Sequence, residues 1–166
     1  MNQLQREAIE ITKELGDVVF VGALAVHAHL RWRHRSTSDV DIAMTVQLTR
    51  DELEKRGYRT YNEGGKEVIR TPRGYKIDIY TNDVSGIPVD TVYDTAIEVS
   101  IGKSKIKVAC KEVMLIAKLR AMRPQDKEDF ITLCTTYGES LDWDILEAIG
   151  TEMEVLTIKQ SVRALS

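Results

Sequence analysis

Residues 39–44, DVDIAM, constrain the fold more than any other stretch of the sequence. Successive side chains of a strand point to opposite faces, so Asp39 and Asp41 share one face while Val40 and Ile42 share the other. The apolar residues predict burial, yet two neighbouring carboxylates repel each other unless a cation offsets their charge. The stretch therefore predicts a half-buried strand whose acidic face either binds a divalent metal ion or only faces solvent.

The rest of the pattern predicts a mixed α/β region followed by a helical one. The predicted elements are helices over 2–15, 23–32 and 49–56, strands over 18–22, 39–44, 58–62, 67–71, 75–81, 97–101 and 105–109, and a loop over 82–90. From Lys111 onward the periodicity is that of three or four helices, with breaks at Pro124, Gly138 and Gly150. We predict an α/β (α+β) fold, in which a mixed β-sheet over 1–109 is flanked by helices and the helical part 110–166 packs on it.

Composition narrows the class of protein. The chain has 166 residues and a net charge of −3, so it has no bulk positive charge for nucleic acid, although Arg31, Arg33 and Arg35 crowd before the aspartates. Cys110 and Cys134 match no metal-binding spacing and fit a reducing compartment. No apolar run reaches the about 20 residues of a membrane span, and the first residues do not resemble a signal peptide. We expect a cytoplasmic protein without a membrane partner.

A third carboxylate, Asp78, extends the acidic pattern. In YKIDIYT it alternates with Ile77 and Ile79, so it lies on the polar face of its strand. If this strand pairs with strand 39–44, three carboxylates converge and could hold two metal ions about 4 Å apart, as in phosphoryl or nucleotidyl transfer.

The order of these motifs resembles the nucleotidyltransferase superfamily of the DNA polymerase β type. That pattern has an apolar strand ending in Gly-Gly or Gly-Ser, a helix, a strand with Asp-x-Asp/Glu, and a later third Asp; Gly22, Asp39, Asp41 and Asp78 match it. The sequence is also similar to the minimal nucleotidyltransferases grouped with abortive-infection type E toxins. Their Arg and Ser/Thr before the carboxylates resemble RSTS (35–38), and their helical Lys, Arg and Asp signature resembles KLRAMRPQDKEDF (118–130).

The resemblance implies that residues 1–109 are the catalytic part of a metal-dependent nucleotidyltransferase. Such an enzyme uses Mg²⁺ or Mn²⁺ to transfer a nucleoside monophosphate from a nucleoside triphosphate to a hydroxyl acceptor. The implied catalytic residues and metal ligands are Asp39, Asp41 and Asp78, and the implied nucleotide-binding residues are Gly22, Ala23, Arg35, Ser36, Thr37, Ser38 and Lys118. The acceptor stays open between an RNA end, a protein and a small molecule, and an antitoxin-like protein is an implied partner.

Several alternatives remain at this stage. Ala23 stands where the family has Gly or Ser, which favours a catalytically degenerate nucleotide- or partner-binding protein, and a phosphotransferase could use the same fold. Arg35 is either a phosphate ligand or a solvated loop residue, and Lys118 is either a phosphate ligand or a surface lysine. We expect Asp126 to be a helix-start charge and Asp129 to pair with Lys118 or Arg123. The three histidines predict no zinc site, because no carboxylate or cysteine cluster completes one.

Overall fold

The computed structural model describes residues 1–166, which form nine strands, eight α-helices and one 3₁₀ helix. The strands are β1 (Val19–Val21), β2 (Asp39–Ala43), β3 (Arg59–Glu63), β4 (Lys66–Arg70), β5 (Lys76–Tyr80), β6 (Asp83–Val84), β7 (Ile87–Pro88), β8 (Ile97–Ile101) and β9 (Ser104–Val108). The helices are α1 (Gln3–Leu15), α2 (Gly22–His29), α3 (Arg50–Lys55), α4 (Val89–Asp94), α5 (Lys111–Ala121), α6 (Pro124–Tyr137), α7 (Trp143–Ile149) and α8 (Glu152–Leu165), with the 3₁₀ turn at Gly138–Ser140.

Seven strands form one mixed sheet in the order β3-β4-β5-β2-β1-β9-β8. The pairs β2/β5 and β1/β9 are parallel and the other neighbours are antiparallel. Strand β1 is buried along its whole length, as expected for the continuous apolar run VFV at the centre of a sheet. The predicted mixed sheet flanked by helices is confirmed.

A single core of 39 buried residues joins the sheet and the helices. It includes apolar residues of α1, the central strands, α2 and the C-terminal helices, so the sheet region and the region after residue 110 bury side chains in the same core. None of the helices combines the length and the apolar composition that a membrane-spanning segment needs. The division into 1–109 and 110–166 stays a prediction.

Two local predictions are wrong. The predicted loop over 82–90 instead holds the small hairpin β6/β7 and the start of α4, because Gly86 adopts a φ of +81° and donates its N–H to Asp83 at 2.8 Å, which closes a tight turn. The helix predicted over 23–32 ends at His29, because Arg31 and Trp32 both adopt left-handed backbone conformations. The helix start at Thr49, whose side chain accepts from the N–H of Glu52, is as predicted.

Candidate active site

The parallel pairing of β2 with β5 brings two of the predicted carboxylates together. Asp41 lies directly opposite Asp78 in the register, and Asp39 lies opposite Lys76. Because the pleat sends alternate side chains to one face, these four residues and Tyr80 share the polar face of the two strands. Val40, Ile42 and Ile77 point the other way and are buried. The sequence therefore builds an acidic pair on the rim of an apolar core.

Gly22 leaves the space that the Asp41 carboxylate occupies. Its φ is +62°, a conformation that side chains disfavour, and a Cβ at this position would lie 2.2 Å from Asp41 Oδ2. Gly22 also begins α2, whose N-terminus has no side-chain cap. Backbone N–H groups at such a helix start favour anions. Only glycine at position 22 lets the carboxylate and the helix start approach each other this closely.

The acidic pair is electrostatically strained. Burial raises the pKa of Asp41 to about 7, and the nearby Asp78 charge adds to that rise. A carboxyl group with this pKa is partly protonated at neutral pH, because burial and then the charge of Asp78 disfavour its ionised form. A divalent cation between them would remove the repulsion, and carboxylate oxygens are the ligands that Mg²⁺ prefers.

A second wall, made by α5, α6 and the loop before β2, carries ion pairs. Lys118 is buried and its Nζ lies 3.0 Å from Asp126 and 2.8 Å from Asp129. Arg35 also pairs with Asp129, at 3.0 Å, and the Nε of Arg123 lies 2.7 Å from Asp126. Three cationic side chains thus meet two carboxylates, which leaves this wall with a positive excess.

The two walls enclose a cleft of about 240 Å³. The acidic strands form one side of it, while α5 and the start of α6 form the other. Its polar and charged lining residues are Arg35, Thr37, Asp39, Asp41, Lys76, Asp78, Tyr80, Ser85, Lys118, Arg123, Gln125 and Asp126. The volume and the opposed charges suit a phosphate chain carried with a metal ion better than an apolar ligand.

A family model described as a nucleotidyltransferase of unknown function (DUF6036) matches residues 1–165. The chain belongs to this family. A comparison with curated proteins gives no significant match. The resemblance to nucleotidyltransferases that the sequence motifs indicated is therefore confirmed at the level of the family.

Solved structures with the same fold agree with the family. A nucleotidyltransferase-like antigenic protein from Paracoccidioides brasiliensis has a TM-score of 0.62 at 15% identity, covering 98% of this chain and 88% of that one. The antibiotic-resistance factor ANT(2'')-Ia has a TM-score of 0.57 at 14% identity, covering 97% and 90%. At such low identities these likenesses show the fold alone. They do not indicate which substrate this chain binds.

Most of the residues predicted for the site lie around the cleft. Eight of them line it: Gly22, Ala23, Arg35, Thr37, Asp39, Asp41, Asp78 and Lys118. Ser36 and Ser38 are exposed and do not line it, whereas Thr37, which stands between them, does. The hydroxyl of Thr37 accepts from the N–H of Asp39 at 3.3 Å, which holds the start of β2. The ligand roles of all ten residues stay predictions.

The metal site that the resemblance implied rests on Asp41 and Asp78. The structure contains no group of three or more His, Cys, Asp or Glu side chains arranged to hold a metal ion. Asp39 shares the face and lines the cleft, but in the register it lies opposite Lys76, two positions before the facing carboxylates. The donor chemistry of the facing pair fits a divalent cation, and the convergence of all three carboxylates stays a prediction.

The cationic side chains are engaged more deeply than the sequence indicated. Lys118 is 5% exposed and not a surface lysine, and Arg35 is ion-paired and not a freely solvated loop residue. Asp129 pairs with Lys118 as predicted, but its arginine partner is Arg35 and not Arg123. Asp126 does stand at a helix start, where it accepts from the N–H of Arg123, but it is fully buried and ion-paired.

Sequence reasoning did not assign six polar residues of the cleft to the site: Lys76, Tyr80, Ser85, Arg123, Gln125 and Asp126. For Lys76 and Tyr80 the signal was present, because both stand two positions from Asp78 and therefore share its face.

The histidines make no metal cluster. His27 and His29 bond the carbonyl oxygens of Arg35 and Ala109.

Proposed function

We propose that the protein is a metal-dependent nucleotidyltransferase that transfers a nucleoside monophosphate from a nucleoside triphosphate to a hydroxyl acceptor. The observation that carries the proposal is the Asp41–Asp78 pair, set in register across two parallel strands and opposite a cationic wall. The family and the fold support it. The free cysteines, both buried, fit the proposed cytoplasmic location.

In this proposal Asp41 and Asp78, with Asp39 beside them, would hold Mg²⁺ or Mn²⁺. When bound, the metal ion would neutralise charge on the phosphate oxygens. The backbone of Gly22 and Ala23 at the start of α2 would contact the triphosphate. Asp78 is exposed in the cleft, where a carboxylate could accept the proton of the acceptor hydroxyl.

The chain's own side chains would supply the rest of the phosphate contacts. Arg35 and Lys118 line the cleft on the side opposite the carboxylates, and Thr37 offers a hydroxyl beside them. Such groups stabilise charge that spreads over the phosphoryl oxygens and fix the reacting atoms in line. Positioning and electrostatics would therefore provide most of the rate enhancement.

Covalent transfer from an α-labelled nucleoside triphosphate tests the proposal, with cell extract as the source of acceptor. The wild type should label an acceptor in Mg²⁺ or Mn²⁺ and not in EDTA. Asp41→Asn and Asp78→Asn should each lower the rate by about 100-fold or more, since each loses a metal ligand. Asp94→Asn, which neutralises an exposed aspartate that lines no part of the cleft, is the matched control and should transfer normally.

The chemical fraction that gains label would identify the acceptor as RNA, protein or a small molecule. An RNA or protein acceptor whose labelling arrests growth, and a partner protein that relieves it, would add the toxin-like role. Transfer of γ-label instead of α-label would mean that the site is a phosphotransferase. Normal transfer by Asp41→Asn would remove the metal-site argument altogether.

A catalytically degenerate binder is the second candidate. Ala23 favours it, because the residue after Gly22 at the cleft has no hydroxyl to offer a phosphate. A binder would gain thermal stability from triphosphate in Mg²⁺, about 2.7 kcal/mol at a hundredfold excess over Kd, without labelling any acceptor. The same gain in EDTA would indicate anion binding without a metal ion, at the arginines before β2 (Arg31, Arg33 and Arg35).

A further inference from the structure

Asp129 is fully buried and does not line the cleft, yet it contacts two residues that do. Its Oδ2 lies 3.0 Å from Arg35 Nη2 and 2.8 Å from Lys118 Nζ, and its Oδ1 lies 3.2 Å from Arg35 Nε. The Nε2 of His34 is 2.5 Å from the same Oδ1. One carboxylate on α6 therefore ties together the loop before β2 and helix α5.

These contacts keep Asp129 ionised. Although burial raises its pKa, the hydrogen bonds from Arg35, His34 and Lys118 outweigh burial and lower it to about 2. A guanidinium that donates two parallel bonds to a carboxylate is fixed in orientation as well as position. Arg35 and Lys118 have long, flexible side chains that would otherwise lose rotamer entropy when a ligand immobilises them.

We propose that Asp129 is a positioning residue, which holds Arg35 and Lys118 in a preset arrangement on the cleft wall for the phosphate chain of the substrate. The inference rests on the proposed function only for the nature of the ligand. It requires that Asp129 strengthen the binding of an anion although it carries a negative charge itself.

That requirement gives the inference a distinctive sign. By Coulomb's law alone, removing a carboxylate next to the cleft would remove its repulsion of a polyphosphate and so tighten the binding of that anion. If Asp129 acts through the geometry of Arg35 and Lys118, its removal frees two flexible cations and weakens binding. The direction of the change in Kd therefore separates positioning from plain electrostatics.

The experiment measures the Kd of inorganic tripolyphosphate and of the four ribonucleoside triphosphates by calorimetry in Mg²⁺. Asp129→Asn keeps the shape and should weaken binding by about tenfold. In an Arg35→Met background the same change should weaken it by much less, because the residue acts through Arg35. Unchanged or tighter binding by Asp129→Asn, or equal losses in both backgrounds, overturns the inference.

Two further variants cover folding. Glu7→Gln removes another buried carboxylate from an arginine, Arg73, at 2.7 Å and outside the cleft, and should leave Kd unchanged; an equal loss would show general destabilisation and overturn the inference. If Asp129→Asn does not fold, Arg35→Lys decides, because it keeps the charge and loses the forked contact. Affinity equal to the wild type in Arg35→Lys also overturns it.

Transfer assays keep this inference apart from the proposed function. A wild type that binds tripolyphosphate but labels no acceptor ends the transferase proposal, and the positioning role is then decided by the binding constants alone. A wild type that binds neither tripolyphosphate nor any of the nucleotides overturns both.

Discussion

Replacing Asp41 by asparagine should stabilise the folded protein at alkaline pH. Burial, followed by the Asp78 charge, raises the pKa of Asp41 from 3.8 to about 7. The folded chain thus holds this proton more tightly than the unfolded chain does. The stability of the wild type is accordingly greatest below the unfolded pKa and falls as pH rises through the folded pKa. Asparagine does not titrate, so the variant avoids this loss.

The size of the effect follows from the two pKa values. Because one pKa unit corresponds to ~1.36 kcal/mol, the rise of the Asp41 pKa from 3.8 to about 7 corresponds to a loss of at most ~4 kcal/mol well above pH 7. Somewhat under half of it is already lost at pH 5, so the wild type loses up to about 2–3 kcal/mol more between pH 5 and pH 8. Partial solvent access to the cleft reduces this by about half, which leaves a change of ~3–5 °C in Tm for a chain of this length.

Denaturant unfolding in EDTA at pH 5 and pH 8 measures the difference between variant and wild type. The advantage of Asp41→Asn should grow with pH, while Asp94→Asn, at an exposed helix end, should show no such growth. Added Mg²⁺ should narrow the advantage, because only the wild type keeps both carboxylates for the metal. An advantage that is constant or shrinks with rising pH would refute the repulsion argument.

Two further changes test local packing. Gly22→Ala should force Asp41 to rotate away from a Cβ at 2.2 Å and should abolish metal-dependent triphosphate binding. Gly64→Ala, at φ +58° in open space, should cost only ~1–2 kcal/mol of backbone strain. Equal behaviour of the two variants in binding assays and unfolding curves would contradict the predicted clash. Arg73→Met should lower the free energy of unfolding by ~3 kcal/mol without changing transfer, because the buried Glu7 loses its ion-pair partner. Recovery of stability in the Arg73→Met, Glu7→Leu double variant, measured by the same unfolding curves, would support this cause.

The acidic face could be predicted from the sequence because strand periodicity is local. The alternation in DVDIAM placed Asp39 and Asp41 on one face without any knowledge of the fold. The partner of Asp41 could not be derived in the same way, since the β3/β4 hairpin separates β2 from β5 along the chain although the two strands are neighbours in the sheet. Only a match to a known order of motifs connected Asp78 to that face, and the parallel register Asp41↔Asp78 is what the structure adds.

The cationic wall shows the limit of sequence reasoning more clearly. Arg35 and Asp129 are 94 positions apart, and no periodicity relates them. The helical spacing of Asp126 and Asp129 suggested local partners, whereas the packing of α6 against α5 and the loop before β2 decided which cations they meet. Burial was equally hidden, because the position of Lys118 between Ala117 and Leu119 in the sequence does not show that its charged end will be enclosed.

The two walls of the cleft carry opposite net charges. The strand wall places the carboxylates of Asp41 and Asp78 opposite each other, and the helical wall carries more positive than negative side chains. A ligand that is itself a cation joined to a polyanion would satisfy both walls at once, the cation at the carboxylates and the phosphates at Arg35 and Lys118. An isolated anion or an isolated metal ion would satisfy only one wall, so metal and triphosphate should bind this cleft cooperatively, each raising the affinity for the other by the same factor.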